Sequence, residues 1–123
     1  MLRIAALGTL GVYWSAIFVG THMPDGVRGF GRFYDKILHF GAYAVLGALW
    51  LDSLLASGVQ NARAFWLAVA ATALYGAFDE VHQGYVPGRE VSVGDWLADS
   101  LGGVFGAWAW LKKRRAAGAV TKS

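Results

Sequence analysis

An all-α fold, a four-helix transmembrane bundle, is what this sequence predicts, and three observations carry the prediction. Hydrophobic residues make up 56% of the 123 and charged residues only 15%, against about 25% charged in a soluble domain. The apolar residues fall into four long runs separated by short polar stretches. Those runs are rich in Ala, Leu and Gly and lack the two-residue alternation of a half-buried strand. The length suits one domain, read as a membrane domain over residues 1–115 and a disordered basic tail over 116–123.

The first run extends from about Ile4 to Gly20. No clear small-x-small cleavage site precedes Thr21, so it is read as a span rather than a secretory leader. The second runs from Ile37 to Leu55, interrupted only by Asp52 and Ser53. The third, Ala64 to Phe78, and the fourth, Trp96 to Leu111 with Asp99 and Ser100 inside it, are short for a span, which needs roughly 20 residues. They reach that length if their helices continue into the polar residues beside them, toward His82 and back toward Ser92. The Gly-rich, aromatic loop from Thr21 to Lys36 is not expected to be simple disorder.

Basic residues set the orientation. With four spans, Arg3, Arg63, Lys112, Lys113, Arg114, Arg115 and Lys122 share one side, and Arg28, Arg32, Lys36 and Arg89 the other. Seven against four places both termini in the cytoplasm. Trp66, Trp108 and Trp110 then lie toward the inner boundary, and Phe30, Phe33, Tyr34, Tyr85 and Trp96 toward the outer one. The Lys112–Arg115 cluster directly follows an apolar run and reads as a juxtamembrane anchor, not a nucleic-acid surface. There is no cysteine, which excludes disulfides, zinc–thiolate sites and thiol nucleophiles.

Three polar signatures sit at the outer ends of the spans. Ionisable groups near hydrocarbon are costly, so they are functional candidates. In the first, Asp35 and His39 are four apart, and Lys36, His39 and Tyr43 form an adjoining stripe. Asp35 and Lys36 also suit helix capping and snorkelling, but neither role explains an imidazole one turn into an apolar run. In the second, Asp79, His82 and Gln83 share a face, with Glu80 about 100° away. Two carboxylates at a helix C-terminus oppose the macrodipole and call for a cation, with Arg89, Lys36 or a metal as candidates. In the third, Pro87-Gly88 suits a type II turn that folds Arg89 over the bundle mouth. Ser92 is a candidate N-cap with Asp95 as its acidic N3 residue. Asp99 lies one turn deeper on the Asp95 face, which Gly102 and Gly106 continue as a close-packing seam. Asp52, near the inner boundary, reads as an interfacial residue, and His22 carries no strong signal.

The ordered set Asp35-Lys36-x-x-His39-Phe40-x-x-Tyr43, Tyr75-Gly76-x-x-Asp79-Glu80-x-His82-Gln83 and Val86-Pro87-Gly88-Arg89-x-x-Ser92-x-x-Asp95 resembles the VanZ-like family. The resemblance covers about Thr21 to Gly106, and the first run matches only as an apolar segment. It implies a small bacterial multi-span membrane protein, and the name-giving member is associated with low-level teicoplanin resistance. The family more often has Asn where this chain has Asp99. An ionised carboxylate only accepts hydrogen bonds, so a neutral amide role is not carried over.

The leading functional reading is a protein that binds or acts on a lipid-linked cell-envelope component at the outer face, with a contribution to glycopeptide resistance as the family suggests. His39, Asp79, Glu80 and His82 are the candidates for proton transfer. Lys36, Tyr43, Gln83, Arg89, Ser92, Asp95 and Asp99 are the candidates for binding, the two cations toward a phosphate. Membrane lipids or lipid-linked precursors are the expected partners, with no nucleic acid. The alternative is a non-enzymatic structural or interaction module whose polar motifs staple the helices. His39, Asp79, Glu80, His82, Asp95 and Asp99 are metal-ligand types, but no stretch has an established metal-ligand spacing, and no metal or other cofactor is assigned. Neither G-x-S-x-G, HExxH nor a phosphate-binding Gly loop occurs.

Overall fold

A computed structural model describes residues 1–23 and 31–120, apart from the side chains of Arg32 and Val120. It contains four helices: α1 (Leu2–Thr21), α2 (Arg32–Ala56), α3 (Asn61–Gln83) and α4 (Val93–Val120). Their lengths of 20, 25, 23 and 28 residues correspond to about 30 Å or more each. Each apolar run therefore extends into the polar residues beside it, as spanning requires. The Thr21–Lys36 loop expectation, and Arg28, Phe30 and Lys122 of the topology argument, lie wholly or partly outside the described residues.

The helices run up, down, up and down. Tyr13 meets Ala42, Trp14 meets Tyr75, and Lys36 meets Asp95. This order brings the C-terminal ends of α1 and α3 and the N-terminal ends of α2 and α4 to one end of the bundle. Short connections between antiparallel neighbours favour this arrangement.

The α2–α4 contact is the most extensive, and it is built on absent side chains. A methyl on Gly102 would collide with the Phe40 carbonyl, one on Gly106 with the Ala44 carbonyl, and one on Gly47 with the Gly103 backbone. Small residues here let the two backbones touch, as the sequence seam implied. α1 is peripheral: it packs on α2, touches α3 at few points and does not reach α4 among the described residues.

Two apolar clusters fill the bundle. Leu10, Ile17, Tyr43, Leu46 and Tyr75 form one, and Leu51, Ala64, Ala68, Ala107 and Leu111 the other. The outward positions are also apolar, among them Val12, Leu67, Leu74, Leu101 and Phe105. So much exposed hydrocarbon is what a lipid solvent calls for. Three helices (α1, α2 from Phe33, and α3) are long and apolar enough to cross a membrane. α4 is not among them. Asp95 and Asp99 interrupt its N-terminal part, and the Lys112–Arg115 cluster cuts off its C-terminal part.

α4 also corrects the expected boundary of the ordered domain. The basic tail was read as disordered from Ala116, yet the helix continues to Val120. Ala116, Ala117 and Ala119 are strong helix formers and carry the ladder onward. Residues 121–123 lie outside the described part. At the same end, Lys112 and Lys113 lie 4.7 Å over the rings of Trp108 and Trp110. Arg114 and Trp110 both reach Asp52, at 3.2 and 3.0 Å. The residue read as interfacial thus joins α2 to the basic turn of α4.

Candidate functional site

The polar signatures meet at the other end of the bundle. Their convergence begins with the inward stripe of α3, where Thr72, Gly76, Asp79, Glu80 and Gln83 are all buried. These positions follow the i, i+4, i+7 and i+8 rhythm of a core-facing helix. Asp79 is fully buried. Its Oδ1 accepts from Thr21 Oγ1 at 2.8 Å, and its Oδ2 accepts from Tyr43 OH at 3.1 Å and Gln83 Nε2 at 3.0 Å. One carboxylate therefore joins α1, α2 and α3.

A second layer joins α2 to α4. Lys36 Nζ donates to Asp95 Oδ1 at 2.7 Å, and His39 Nδ1 lies 2.8 Å from Asp99 Oδ1. Asp99 is fully buried and His39 is 7% exposed. Glu80 completes the α3–α4 link by accepting the Ser92 N–H on Oε2 at 2.9 Å. Ser92 is the N-cap expected from the sequence, its Oγ accepting from the Asp95 N–H at 3.2 Å. Asp95 turns to Lys36 instead of closing a capping box.

Two sequence expectations are revised here. Arg89 was one of three candidate cations for Asp79 and Glu80, with Lys36 and a metal. The Arg89 side chain makes no ion pair or hydrogen bond among the described residues, and its Nε is buried without a partner. The two carboxylates instead accept from neutral donors and a backbone N–H, which also offsets the unfavourable helix end. The Pro-Gly turn itself forms as expected, with Arg89 N–H on the Val86 carbonyl at 3.0 Å and Gly88 at φ 80°. His82 was grouped with Asp79. It lies at the edge of the inward stripe, half-buried, with Nδ1 2.9 Å from the Phe78 carbonyl and its ring against Phe78. Glu80, placed on another face by the sequence reading, is the residue that enters the cluster. The inward stripe is wide enough to hold positions 79, 80 and 83 together, and 82 falls outside it.

Sequence reasoning missed Thr21 and undervalued His22. Thr21 binds Asp79, and His22 Nδ1 lies 3.7 Å from the same oxygen. The shared partner lies 58 residues from Thr21, and no local spacing announces it. The clue available was a hydroxyl and an imidazole at the end of an otherwise apolar run.

A cavity of about 340 Å³ opens between α1 and α2. Tyr13, Ile17, Leu38 and Ala42 line its apolar part, and Thr21, Asp35, His39 and Arg89 its polar end. Arg89, unpaired among the described residues, thus borders a space that is hydrocarbon along one side and acidic, basic and hydroxylic at the mouth.

Fold and site together define an all-α integral membrane protein with a buried network of acids, imidazole and hydroxyls at one end. The chain belongs to the VanZ/LLP1 family, which it matches over residues 3–114. No curated protein and no solved structure matches the chain.

Proposed function

We propose that the protein crosses the bacterial cell membrane four times with both termini in the cytoplasm. Its polar end then meets the outer leaflet, where it binds or acts on a lipid-linked component of the cell envelope. The observation that carries this reading is the α1–α2 cavity with Arg89 at its mouth. An amphiphile with an anionic head matches both parts: the apolar wall takes a hydrocarbon chain, and the guanidinium, without an ion pair among the described residues, takes a phosphate or carboxylate in its planar fork. The peripheral packing of α1 supports the reading, because a chain can enter from the lipid beside a helix that holds few contacts. Family membership supports the link to envelope-directed antibiotics, proposed here as reduced teicoplanin susceptibility.

Two measurements test the reading. Protein in nanodiscs of phosphatidylcholine with a minor share of phosphatidylglycerol is extracted, and the retained lipid is weighed by native mass spectrometry. The anionic lipid is expected to be enriched, and Arg89→Ala is expected to lose about tenfold of that enrichment, since a charge-assisted hydrogen bond contributes about 1.5–3 kcal/mol. Equal retention of both lipids, unchanged in the variant, refutes the binding reading. Expression in a glycopeptide-sensitive host should raise the inhibitory concentration of teicoplanin, and no rise in the presence of folded protein refutes the resistance link.

A second reading has its own support. Hydrogen bonds to Asp79, Asp95, Asp99 and Glu80 tie all four helices together, which is what a structural staple needs. It differs from the first in one outcome: a pure staple makes no use of Arg89, and Arg89→Ala leaves lipid selectivity untouched.

A further inference from the structure

We infer that His39, Glu80 and Asp99 form a site for a divalent first-row metal ion inside the polar end of the bundle. The three residues come from α2, α3 and α4, and all are buried. One ligand-type atom from each lies within 4.8 Å of the other two. Two ligands on one ion with bonds of 2.0–2.2 Å sit at most about 4.4 Å apart, so a small rotamer adjustment closes the triangle. The 2.8 Å between His39 Nδ1 and Asp99 Oδ1 fits two roles. It is a hydrogen bond as it stands, and it is close to the separation of neighbouring ligands on such an ion.

A cluster of acids alone would not make a site, and a separate observation points to a ligand. Each carboxylate uses one oxygen, Glu80 Oε2 on the Ser92 N–H and Asp99 Oδ1 on His39. The other oxygen of each, Glu80 Oε1 and Asp99 Oδ2, is buried with no hydrogen-bond partner. The residues are 3% and 0% exposed. A buried acceptor left unsatisfied costs about 1–3 kcal/mol, more when charged, and two ionised carboxylates with oxygens within 4.8 Å of each other repel. Neither the nearby lysine nor the nearby arginine resolves this. Lys36 is committed to Asp95, and Arg89 makes no ion pair among the described residues. A divalent ion neutralises both carboxylates at once and uses the idle oxygens. One imidazole with two carboxylates is a mixed N/O set, which suits Mn²⁺ or Zn²⁺ better than an all-oxygen ion such as Ca²⁺.

Asp95 offers the internal contrast. It also stands near Asp35 and His39 in a ligand-type group, but its Oδ1 already holds the Lys36 ammonium at 2.7 Å. A cation in that place repels a metal, so the ion belongs with Glu80 and Asp99.

The inference concerns the metal alone and needs no lipid, so it stands or fails apart from the proposed function. Full-length protein in detergent is stripped with EDTA, and Mn²⁺ is titrated while the free-ion electron paramagnetic resonance signal is followed. A Zn²⁺ titration with metal analysis after gel filtration runs in parallel. About one equivalent of at least one of the two ions is expected, together with a higher unfolding temperature. Glu80→Gln and Asp99→Asn keep the side-chain shapes but lose the charges. Both are expected to weaken binding by tenfold or more, while Asp95→Asn changes it less than threefold. The unfolding temperatures of the metal-free variants, at or above that of the metal-free parent, certify that they fold. The inference is overturned if the parent binds neither ion and gains no stability, which leaves the two carboxylates sharing a proton. It is equally overturned if binding survives Glu80→Gln and Asp99→Asn.

Discussion

Gly106→Ala tests whether the polar cluster depends on backbone contact between α2 and α4. A Cβ at Gly106 overlaps the Ala44 carbonyl oxygen and comes within 2.5 Å of its carbon and 2.8 Å of its Cα. Carbon contacts ordinarily lie at about 3.5–4.0 Å, so the helices must separate by on the order of 1 Å at this level. The obstruction is backbone, which cannot swing aside as a side chain would. Overpacking of this kind costs about 1–3 kcal/mol, and replacing a helical glycine by alanine returns up to about 1 kcal/mol. A net loss of about 1–2 kcal/mol is expected. If the separation carries to the polar end, the His39–Asp99 bond grows from 2.8 Å toward about 3.8 Å, beyond hydrogen-bonding range. The assay is thermal or SDS-induced unfolding in mild detergent, with Gly11→Ala as the control. Nothing lies within 4 Å of a Cβ at Gly11, so the control should gain the helix-propensity term and lose nothing. A Gly106→Ala protein as stable as the Gly11→Ala control refutes the close-contact argument.

Asp79→Ala strands Thr21, Tyr43 and Gln83 as donors and should cost about 3 kcal/mol or more; Asp79→Asn keeps one acceptor and should cost less, measured by the same unfolding assay. Lys36→Met should lower stability by less than about 1 kcal/mol, because the Lys36 side chain is 42% exposed and solvent screens the pair. For topology, the proposed orientation predicts that Tyr85→Cys in the α3–α4 connection reacts with an impermeant thiol reagent in intact cells, and that Asn61→Cys at the start of α3 reacts only after lysis. Labelling in the reverse pattern overturns the assigned orientation.

Composition alone determined a good deal of this protein. With 15% charged residues and four long apolar runs, there is too little polar surface to clothe a soluble bundle, and only helices satisfy their own backbone at that depth. The three signatures were legible for a similar reason: an acid or imidazole at the edge of an apolar run is expensive unless something holds it. Local rules also placed the Ser92 cap, the turn before Arg89 and the glycine seam of α4, because each depends on a few neighbouring residues.

Partnerships across helices were decided only by tertiary structure. Helical periodicity gives an angle on one helix but not the width of the face its neighbours cover, so it did not separate Glu80, which is buried in the cluster, from His82, which lies at the edge. Charge pairing from sequence offered Arg89, Lys36 or a metal to the acids of α3. The bundle instead gives Asp79 the hydroxyls of Thr21 and Tyr43 and the amide of Gln83, since neutral donors within reach remove the need for a buried cation. That left Arg89 at the cavity mouth and two carboxylate oxygens without partners. Both features depend on which atoms of separate helices arrive within a few ångströms of each other, and chain order does not specify that distance.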